Sequence, residues 1–247
     1  MTEAMLHLYA LGAVDNKQGI SAIGRQMASF PLEPTSARTL IASFEIGCPH
    51  EVISLVSLLS YSDNLLMTSA NIREQAQEAH AKFVHRDGDH LTLYNVLAAY
   101  DAACETAESR SERAEWCKDN YINVKTMANV LEARKQLRER CDRLDLDWKV
   151  SCGDDLSQVL EACMAGFHQN TALRWPDNKY QKTIGRLVSV IFLRAVMSLR
   201  WSNVSQPDKT HPSSVLHMKK AQAVMYHELV SHSLIMSRAS LIATCRS

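Results

Sequence analysis

The chain has 247 residues, of which 46% are apolar, 22% are charged and 6% are aromatic. This length and composition support one large or two ordinary hydrophobic cores, which excludes the disordered, collagen-like and coiled-coil classes. Lys plus Arg and Asp plus Glu number 27 each, so the net charge does not indicate a nucleic-acid partner. The charge is nevertheless uneven, because residues 151–247 contain eleven Lys and Arg but six Asp and Glu, a net charge of +5.

Cysteine usage indicates an intracellular, reducing compartment. The seven cysteines are odd in number and form no close pairs in the sequence, and no basic-then-apolar signal segment opens the chain. The most apolar stretch, 187–201, is interrupted by Arg194 and Arg200, so its uncharged run is far below the ~20 residues of a membrane span. We therefore expect no membrane association.

Apolar residues recur at helical spacing through the first two thirds of the chain, which predicts a helical bundle. Residues 5–30 predict two helices joined by a turn at 15–19. Apolar runs around Leu40 and Val52 predict two further helices separated at Pro49, because proline cannot continue a helix. The second of these runs is apolar nearly all round, so its helix should be central.

Residues typical of helix N-caps precede the remaining helical runs. The expected caps are Asn71 with Glu74 in capping-box spacing, Asp89, Ser109 with Glu112, and the pair Asp154 and Asp155. A long, heavily charged helix should lie near 124–141. After about residue 170, short runs rich in Val, Ile, Tyr and Thr, at 187–193, 214–217 and 223–230, predict strands of a small barrel or sandwich. The predicted fold is mostly α with a C-terminal β part.

Three near-matches to chemical motifs favour structural interpretations. Gly19 and Gly24 have phosphate-loop spacing, but Arg and Gln follow where Lys and Ser or Thr are required. His227 and His232 are five residues apart, not the four of a helical zinc site. Residues 85–90 hold two histidines and two carboxylates, yet they predict a turn and an N-cap, with ligand contact by the turn as the alternative. We therefore assign no catalytic residue and no metal ligand.

Several sequence runs together resemble the C-terminal region of DEAH-box (DEAH/RHA-type) RNA helicases, in order and rough spacing, from residue 4 to about 232. The runs are YALGAVD from Tyr9, GRQMASFPLEP from Gly24, GDHLTLYNV from Gly88, WC at Trp116, RKQL from Arg134, GFHQNTA from Gly166, HPSSVL from His211 and YHELV from Tyr226. The resemblance implies the end of a winged helix at 1–33, a ratchet-like helicase-associated helical domain at 34–145 and an OB-fold-like (oligonucleotide-binding) barrel at 150–247.

The resemblance also implies that this chain is a clamp on single-stranded RNA and does not contain the ATPase lobes. In such helicases two RecA-like lobes hydrolyse ATP with Mg²⁺, and the appended domains close a channel over the RNA. This sequence contains no Gly-Lys-Ser/Thr phosphate motif and no Asp-Glu-Ala-His motif. We expect no enzyme activity and no cofactor in this chain, with ATP and Mg²⁺ belonging to the parent helicase and its RecA-like lobes as partners.

Two groups of residues are candidates for RNA contact. The first comprises Thr92 and Asn95, on the exposed face of the helix that opens at Asp89, and the turn residues His85 and Arg86. The second group, whose hydroxyls, imidazole and amides suit phosphate oxygens, comprises Lys209, Thr210, His211, Ser213 and Ser214. The structural alternative is helix packing for the first group and a strand and turn held by Pro212 for the second.

The sequence departs from the family pattern in two places. About twenty residues, 187–205, are added within the expected barrel, either as a true insertion that covers one barrel face or through a retained intron or gene-model error. Residues 237–247 also leave the pattern. The function implied is an RNA-binding accessory region of a nuclear helicase that acts in pre-mRNA splicing or ribosome biogenesis. The alternative is an interaction module that docks a glycine-rich, G-patch-type activator.

Overall fold

The computed structural model describes residues 3–174, 180–183, 209–210, 214–217, 219, 221–230 and 235–241. These ranges form nine α-helices followed by five short strands, so the predicted mostly α fold with a C-terminal β part is confirmed. The helices are α1 Glu3–Ala10, α2 Ala22–Ala28, α3 Pro34–Ile46, α4 Pro49–Leu59, α5 Arg73–Ala81, α6 Asp89–Thr106, α7 Arg110–Asp119, α8 Val124–Arg143 and α9 Ser157–Phe167. The strands are β1 Thr171–Arg174, β2 Tyr180–Lys182, β3 Lys209–Thr210, β4 Ala223–Val230 and β5 Ile235–Leu241. None of the described helices has the length and apolar character of a membrane span.

The first two helices are joined by a tight turn, as the sequence predicts. The Asp15 carboxylate accepts hydrogen bonds from the backbone N–H groups of Lys17 and Gly19 at 2.8 and 2.7 Å. The Ser21 hydroxyl then caps α2 by accepting from the Gly24 N–H at 2.9 Å. Gly19 is therefore a turn residue and Gly24 a residue of the first helical turn, as predicted.

Helix α4 lies at the centre of the main hydrophobic core, as its all-round apolar sequence predicts. Every residue from Glu51 to Leu59 is buried, and the core continues through α6, α8 and α9. Helices α3 and α9 approach closely at Gly166, where an added Cβ would lie 2.2 Å from the Thr35 carbonyl oxygen and 2.2 Å from the Thr39 hydroxyl. This helix pair consequently requires glycine at position 166.

The predicted N-caps were right at one site and wrong at three. Ser109 caps α7, since its hydroxyl accepts from the Glu112 N–H at 3.2 Å. Asn71 is not a cap, because a short 3-10 turn precedes α5 and the Asn71 side chain bonds the Ser69 hydroxyl instead. Gly88, not Asp89, occupies the N-cap position of α6.

The Asp154 and Asp155 pair lies ahead of α9 without occupying its N-cap, which is Leu156. Asp155 instead accepts hydrogen bonds from the N–H and O–H groups of Ser157. The strand predicted at 214–217 was also wrong. These residues form a turn, because the Ser214 hydroxyl accepts from the Leu216 N–H and the Ser214 carbonyl accepts from the His217 N–H.

The five strands form one sheet in the order β2-β1-β4-β5-β3. Neighbouring strands are antiparallel except β3 and β5, which are parallel, and Ala172 lies opposite Val224. A small second core supports the sheet and comprises Ala172, Tyr180, Leu216, Val224, Tyr226 and Ala239. Within the described ranges β2 and β3 are the two edge strands and do not pair with each other, so the sheet is open there. The predicted insertion at 187–205 lies outside the described residues.

A bidentate ion pair joins α6 to α8. The two terminal guanidinium nitrogens of Arg134 donate to the two carboxylate oxygens of Asp101 at 2.6 and 2.8 Å. The Arg134 side chain is 11% exposed and that of Asp101 is 43% exposed. This geometry is the strong, planar form of an Arg–carboxylate interaction.

We predict that Arg134→Ala lowers the free energy of unfolding by about 2 kcal/mol, because it removes a charge-assisted pair whose guanidinium is largely buried. Chemical denaturation measures this change. The matched control is Arg143→Ala on the same helix, whose 3.5 Å pair with Glu139 is exposed and is worth less than about 1 kcal/mol. Equal effects of the two substitutions would contradict the larger contribution of the Arg134–Asp101 pair to stability.

Two half-buried histidines make stability depend on pH. Burial lowers the pKa of His80 and of His168 below the ordinary value. The unfolded chain therefore binds protons below about pH 6.5 that the folded chain does not bind. We predict that the free energy of unfolding falls as the pH is lowered from 7 to 5, and that the double variant His80→Gln, His168→Gln has a shallower dependence. Chemical denaturation at pH 5, 6 and 7 measures this dependence. If the free energy of unfolding of the double variant changes with pH as steeply as that of the parent chain, the role of the two histidines is contradicted.

Candidate nucleic-acid interface

The start of α6 is the point where the helical part of the chain meets the sheet. Gly88 forms an antiparallel bridge with Ser240 of β5. Its φ is +131°, and an added Cβ would lie 2.4 Å from the Ser240 Cα atom. Glycine is thus required at position 88 both by its backbone conformation and by the approach of the strand.

Side chains around this bridge complete the contact, which we call the α6 junction (Gly88, Asp89, His90, Val215 and Ser240). The Ser240 hydroxyl accepts from the His90 N–H at 3.1 Å and shares a 2.7 Å hydrogen bond with the ring Nδ1 atom. The Asp89 carboxylate accepts from the Val215 N–H at 2.7 Å. Since His90 and Ser240 are buried, the junction fixes the first turn of α6 against the sheet.

The predicted turn residues His85 and Arg86 lie immediately before this junction. The His85 Nδ1 atom accepts from the Asp87 N–H at 3.2 Å. The Arg86 side chain is 79% exposed, with its Nε atom 3.6 Å from the Asp87 carboxylate. The exposed Lys219 ammonium donates to the Arg86 carbonyl oxygen at 3.3 Å. Two exposed cationic side chains, Arg86 of the turn and Lys219 bound to its backbone, therefore lie side by side here.

Thr92 and Asn95 do not lie on an exposed helix face, so that expectation was wrong. Both are half-buried, and their side chains hold the preceding turn. The Thr92 hydroxyl donates to the Gly88 carbonyl at 2.9 Å and accepts from the His85 N–H at 2.9 Å. The Asn95 amide donates to the Phe83 carbonyl at 3.0 Å. Polar residues on this face of α6 therefore form hydrogen bonds with backbone groups of the preceding turn.

The second predicted group is divided between two places. Lys209 and Thr210 form β3 at one edge of the sheet, paired with Ile235 and Met236. Ser214 is buried in the turn that bonds Asp89 through its neighbour Val215. His211 and Ser213 lie outside the described residues. The structure thus brings the turn 214–217 to the start of α6, whereas β3 lies at the far side of β5.

Sequence reasoning missed His90 and Ser240 as partners, since 150 residues separate them. The signal that was available is the run GDH from Gly88, in which all three residues form the junction. Among the described residues no group of three His, Cys, Asp or Glu side chains could hold a metal ion. The exposed cations beside this hydrogen-bonded turn are suited to bind anions and hydrogen-bond acceptors.

Two family profiles match the chain. The profile described as "Helicase associated domain (HA2), winged-helix" matches residues 4–32, and "Helicase associated domain (HA2), ratchet-like" matches residues 33–93. The resemblance to the helicase-associated region of DEAH-box RNA helicases is confirmed. Helices α1 to α5 and residues 88–90 of the α6 junction lie within or at the border of these two matches, whereas Val215 and Ser240 lie outside them.

Individual relatives align with nearly the whole chain. The ATP-dependent RNA helicase DHX33 of Drosophila melanogaster is 33% identical over 234 residues, covering 93% of this chain and 29% of that protein. The human DHX33 helicase is 34% identical over 231 residues, covering 92% of this chain and 29% of that protein. The pre-mRNA-splicing factor ATP-dependent RNA helicase prp22 of Schizosaccharomyces pombe is 32% identical over 234 residues, covering 94% and 18%. The chain therefore spans less than a third of the length of these curated relatives.

We predict that Gly88→Ala lowers the free energy of unfolding by more than about 2 kcal/mol, because a Cβ adds φ strain and displaces β5. Gly153→Ala is the matched control, since Gly153 also has a positive φ of 59° but no atom within 4 Å of its added Cβ. The control should lose only about 1 kcal/mol. Thermal and chemical denaturation measure both variants, and equal losses would contradict the steric role of Ser240.

Proposed function

We propose that this chain is the RNA-binding accessory region, or clamp, of an ATP-dependent DEAH-box RNA helicase that remodels or unwinds RNA. The observation that carries the proposal is the alignment of 92–94% of the chain, helices and sheet together, with proteins named as ATP-dependent RNA helicases. Nucleotide hydrolysis, with ATP and Mg²⁺, would belong to the RecA-like lobes of the parent protein.

In this proposal the start of α6 contacts single-stranded RNA. The exposed cations Arg86 and Lys219 would pair with phosphate oxygens. Such pairing does not depend on recognition of the bases. Lys209 and Thr210 of β3 would supply further phosphate contacts at the edge of the sheet, and the proposal keeps the predicted contacts of His211, Ser213 and Ser214. We further propose that the strands belong to an OB-like barrel over 150–247, and that the parent protein acts in the nucleus, in pre-mRNA splicing or ribosome biogenesis.

A second function, docking of a G-patch-type activator, is supported by the exposed apolar residues of the first two helices and their turn. Leu6 is 51% exposed and Ile20 is 61% exposed, although both belong to an otherwise packed unit. Exposed apolar side chains of this size suit a protein partner better than a polyanion. A glycine-rich activator peptide that binds the chain tightly while RNA does not bind would favour this function.

The test of the clamp is fluorescence anisotropy of a labelled oligo-uridine RNA against the full chain at several salt concentrations. We predict binding that weakens steeply with salt. Arg86→Gln should weaken it further and reduce the slope of log K against log salt by about 0.7, the value for one phosphate contact with a single strand.

Arg143→Gln is the control for this test, because Arg143 is a similarly exposed arginine on α8, far along the chain from the α6 junction. It should leave both the affinity and the slope unchanged. A folded chain that binds no RNA would contradict the clamp. Equal effects of the two substitutions would contradict the location of the contact at the start of α6.

A further inference from the structure

An open cleft of about 420 Å³ lies along α6, between one and three turns beyond the α6 junction. Its lining comes from the two residues that follow α5, from α6 and from α7. The lining residues are Lys82, Phe83, Asn95, Ala98, Ala99 and Trp116. None of the RNA contacts proposed above lines this cleft.

The lining combines two aromatic side chains with two alanines. The Phe83 and Trp116 rings lie 6.1 Å apart at an interplanar angle of 52°, and Tyr100 supports Trp116 edge-on at 5.6 Å. Ala98 and Ala99 also line the cleft, and their short side chains leave room for a planar ring beside the half-buried Trp116. An aromatic ring next to small side chains suits a flat, polarisable group.

The charge in the cleft favours a nucleotide over other flat ligands. Among the described residues that line it, Lys82 carries the only charge, and its ammonium lies 5.1 Å from the centre of the Phe83 ring. A cation at the rim of an aromatic wall would pair with a phosphate while the base stacks inside. The Asn95 side chain, which donates to the Phe83 carbonyl, also lines the cleft.

A second, smaller cleft of about 200 Å³ on the other side of Trp116 provides a contrast. Its lining includes Tyr100, Glu112 and Arg113. The Glu112 carboxylate there accepts from the Glu108 N–H and the Ser109 hydroxyl, so it is held in place at the rim. A fixed carboxylate opposes phosphate binding, and this cleft is therefore the poorer site for RNA.

We propose that the cleft between Lys82, Phe83, Ala98 and Trp116 binds one nucleobase of single-stranded RNA by stacking. This proposal rests on the proposed RNA-binding function and adds a base contact to its phosphate contacts. A stacked base would bind without sequence preference, since every base offers a π face. The cleft would then hold the strand at the start of α6.

The experiment compares two RNA probes of equal length and charge, oligo-uridine and an abasic oligomer, on the full chain. Ala98→Leu places a branched, non-aromatic side chain in the cleft from an exposed helix position, so folding is preserved. We expect a loss of about tenfold in affinity for oligo-uridine and no change for the abasic probe, which corresponds to one lost stacking interaction. Trp116→Phe, which keeps an aromatic ring, should lose less than Ala98→Leu.

The matched control is Ala102→Leu, one turn further along α6 at another exposed position outside the cleft lining. It should bind both probes as the parent chain does. A 4-thiouridine photocrosslink supplies an independent readout, expected in the peptides that contain Phe83, Ala98 or Trp116. Two results would overturn the stacking site without contradicting the proposed clamp. The first is equal affinity of the parent chain for both probes. The second is an Ala98→Leu effect equal to that of Ala102→Leu. Absence of any RNA binding would overturn both.

Discussion

The backbone contact between Gly88 and Ser240 is the interaction on which the arrangement of the two parts depends. The strand passes so close to the helix start that no side chain fits at position 88. The buried His90 then bonds the Ser240 hydroxyl, as a polar group removed from water must, and the half-buried Asp89 carboxylate accepts from the Val215 N–H. The first turn of α6 is thereby positioned by the sheet as well as by the helical core.

This contact also explains why the turn before α6 is a suitable binding surface. Thr92 and Asn95 bond its backbone from the helix side, and Lys219 bonds the Arg86 carbonyl from the sheet side. A turn held from both sides loses little entropy when its exposed arginine binds a ligand. Thr92 and Asn95, first expected to touch RNA, thus support the turn that carries the proposed contact Arg86.

The helical half was predictable because its signals are local. Apolar spacing located α3 and α4, Pro49 separated them, and Ser109 with Glu112 marked the start of α7. The errors arose where long-range contacts compete with local preference. Asp89 matches an N-cap in sequence, but the Val215 amide takes its carboxylate. The turn 214–217 has strand-like composition, yet the Ser214 hydroxyl bonds its own backbone.

The candidate site was only partly predictable for the same reason. The run GDHLTLYNV contains Gly88, Asp89 and His90 of the α6 junction. Helical periodicity could not tell a solvent-facing Thr92 or Asn95 from one bonded to the preceding turn. The pairing of His90 with Ser240 spans 150 residues and has no local signal. The cleft at Trp116 likewise depends on how α5, α6 and α7 pack together.

The most direct test of the account is hydrogen–deuterium exchange of the full chain with and without saturating oligo-uridine RNA. If the start of α6 faces the RNA, amides in residues 83–99 and in the turn 214–217 should become protected, while those in α8 should not change. Protection confined to other segments, at an RNA concentration where binding is complete, would contradict the central claim that the α6 junction carries the RNA-binding surface.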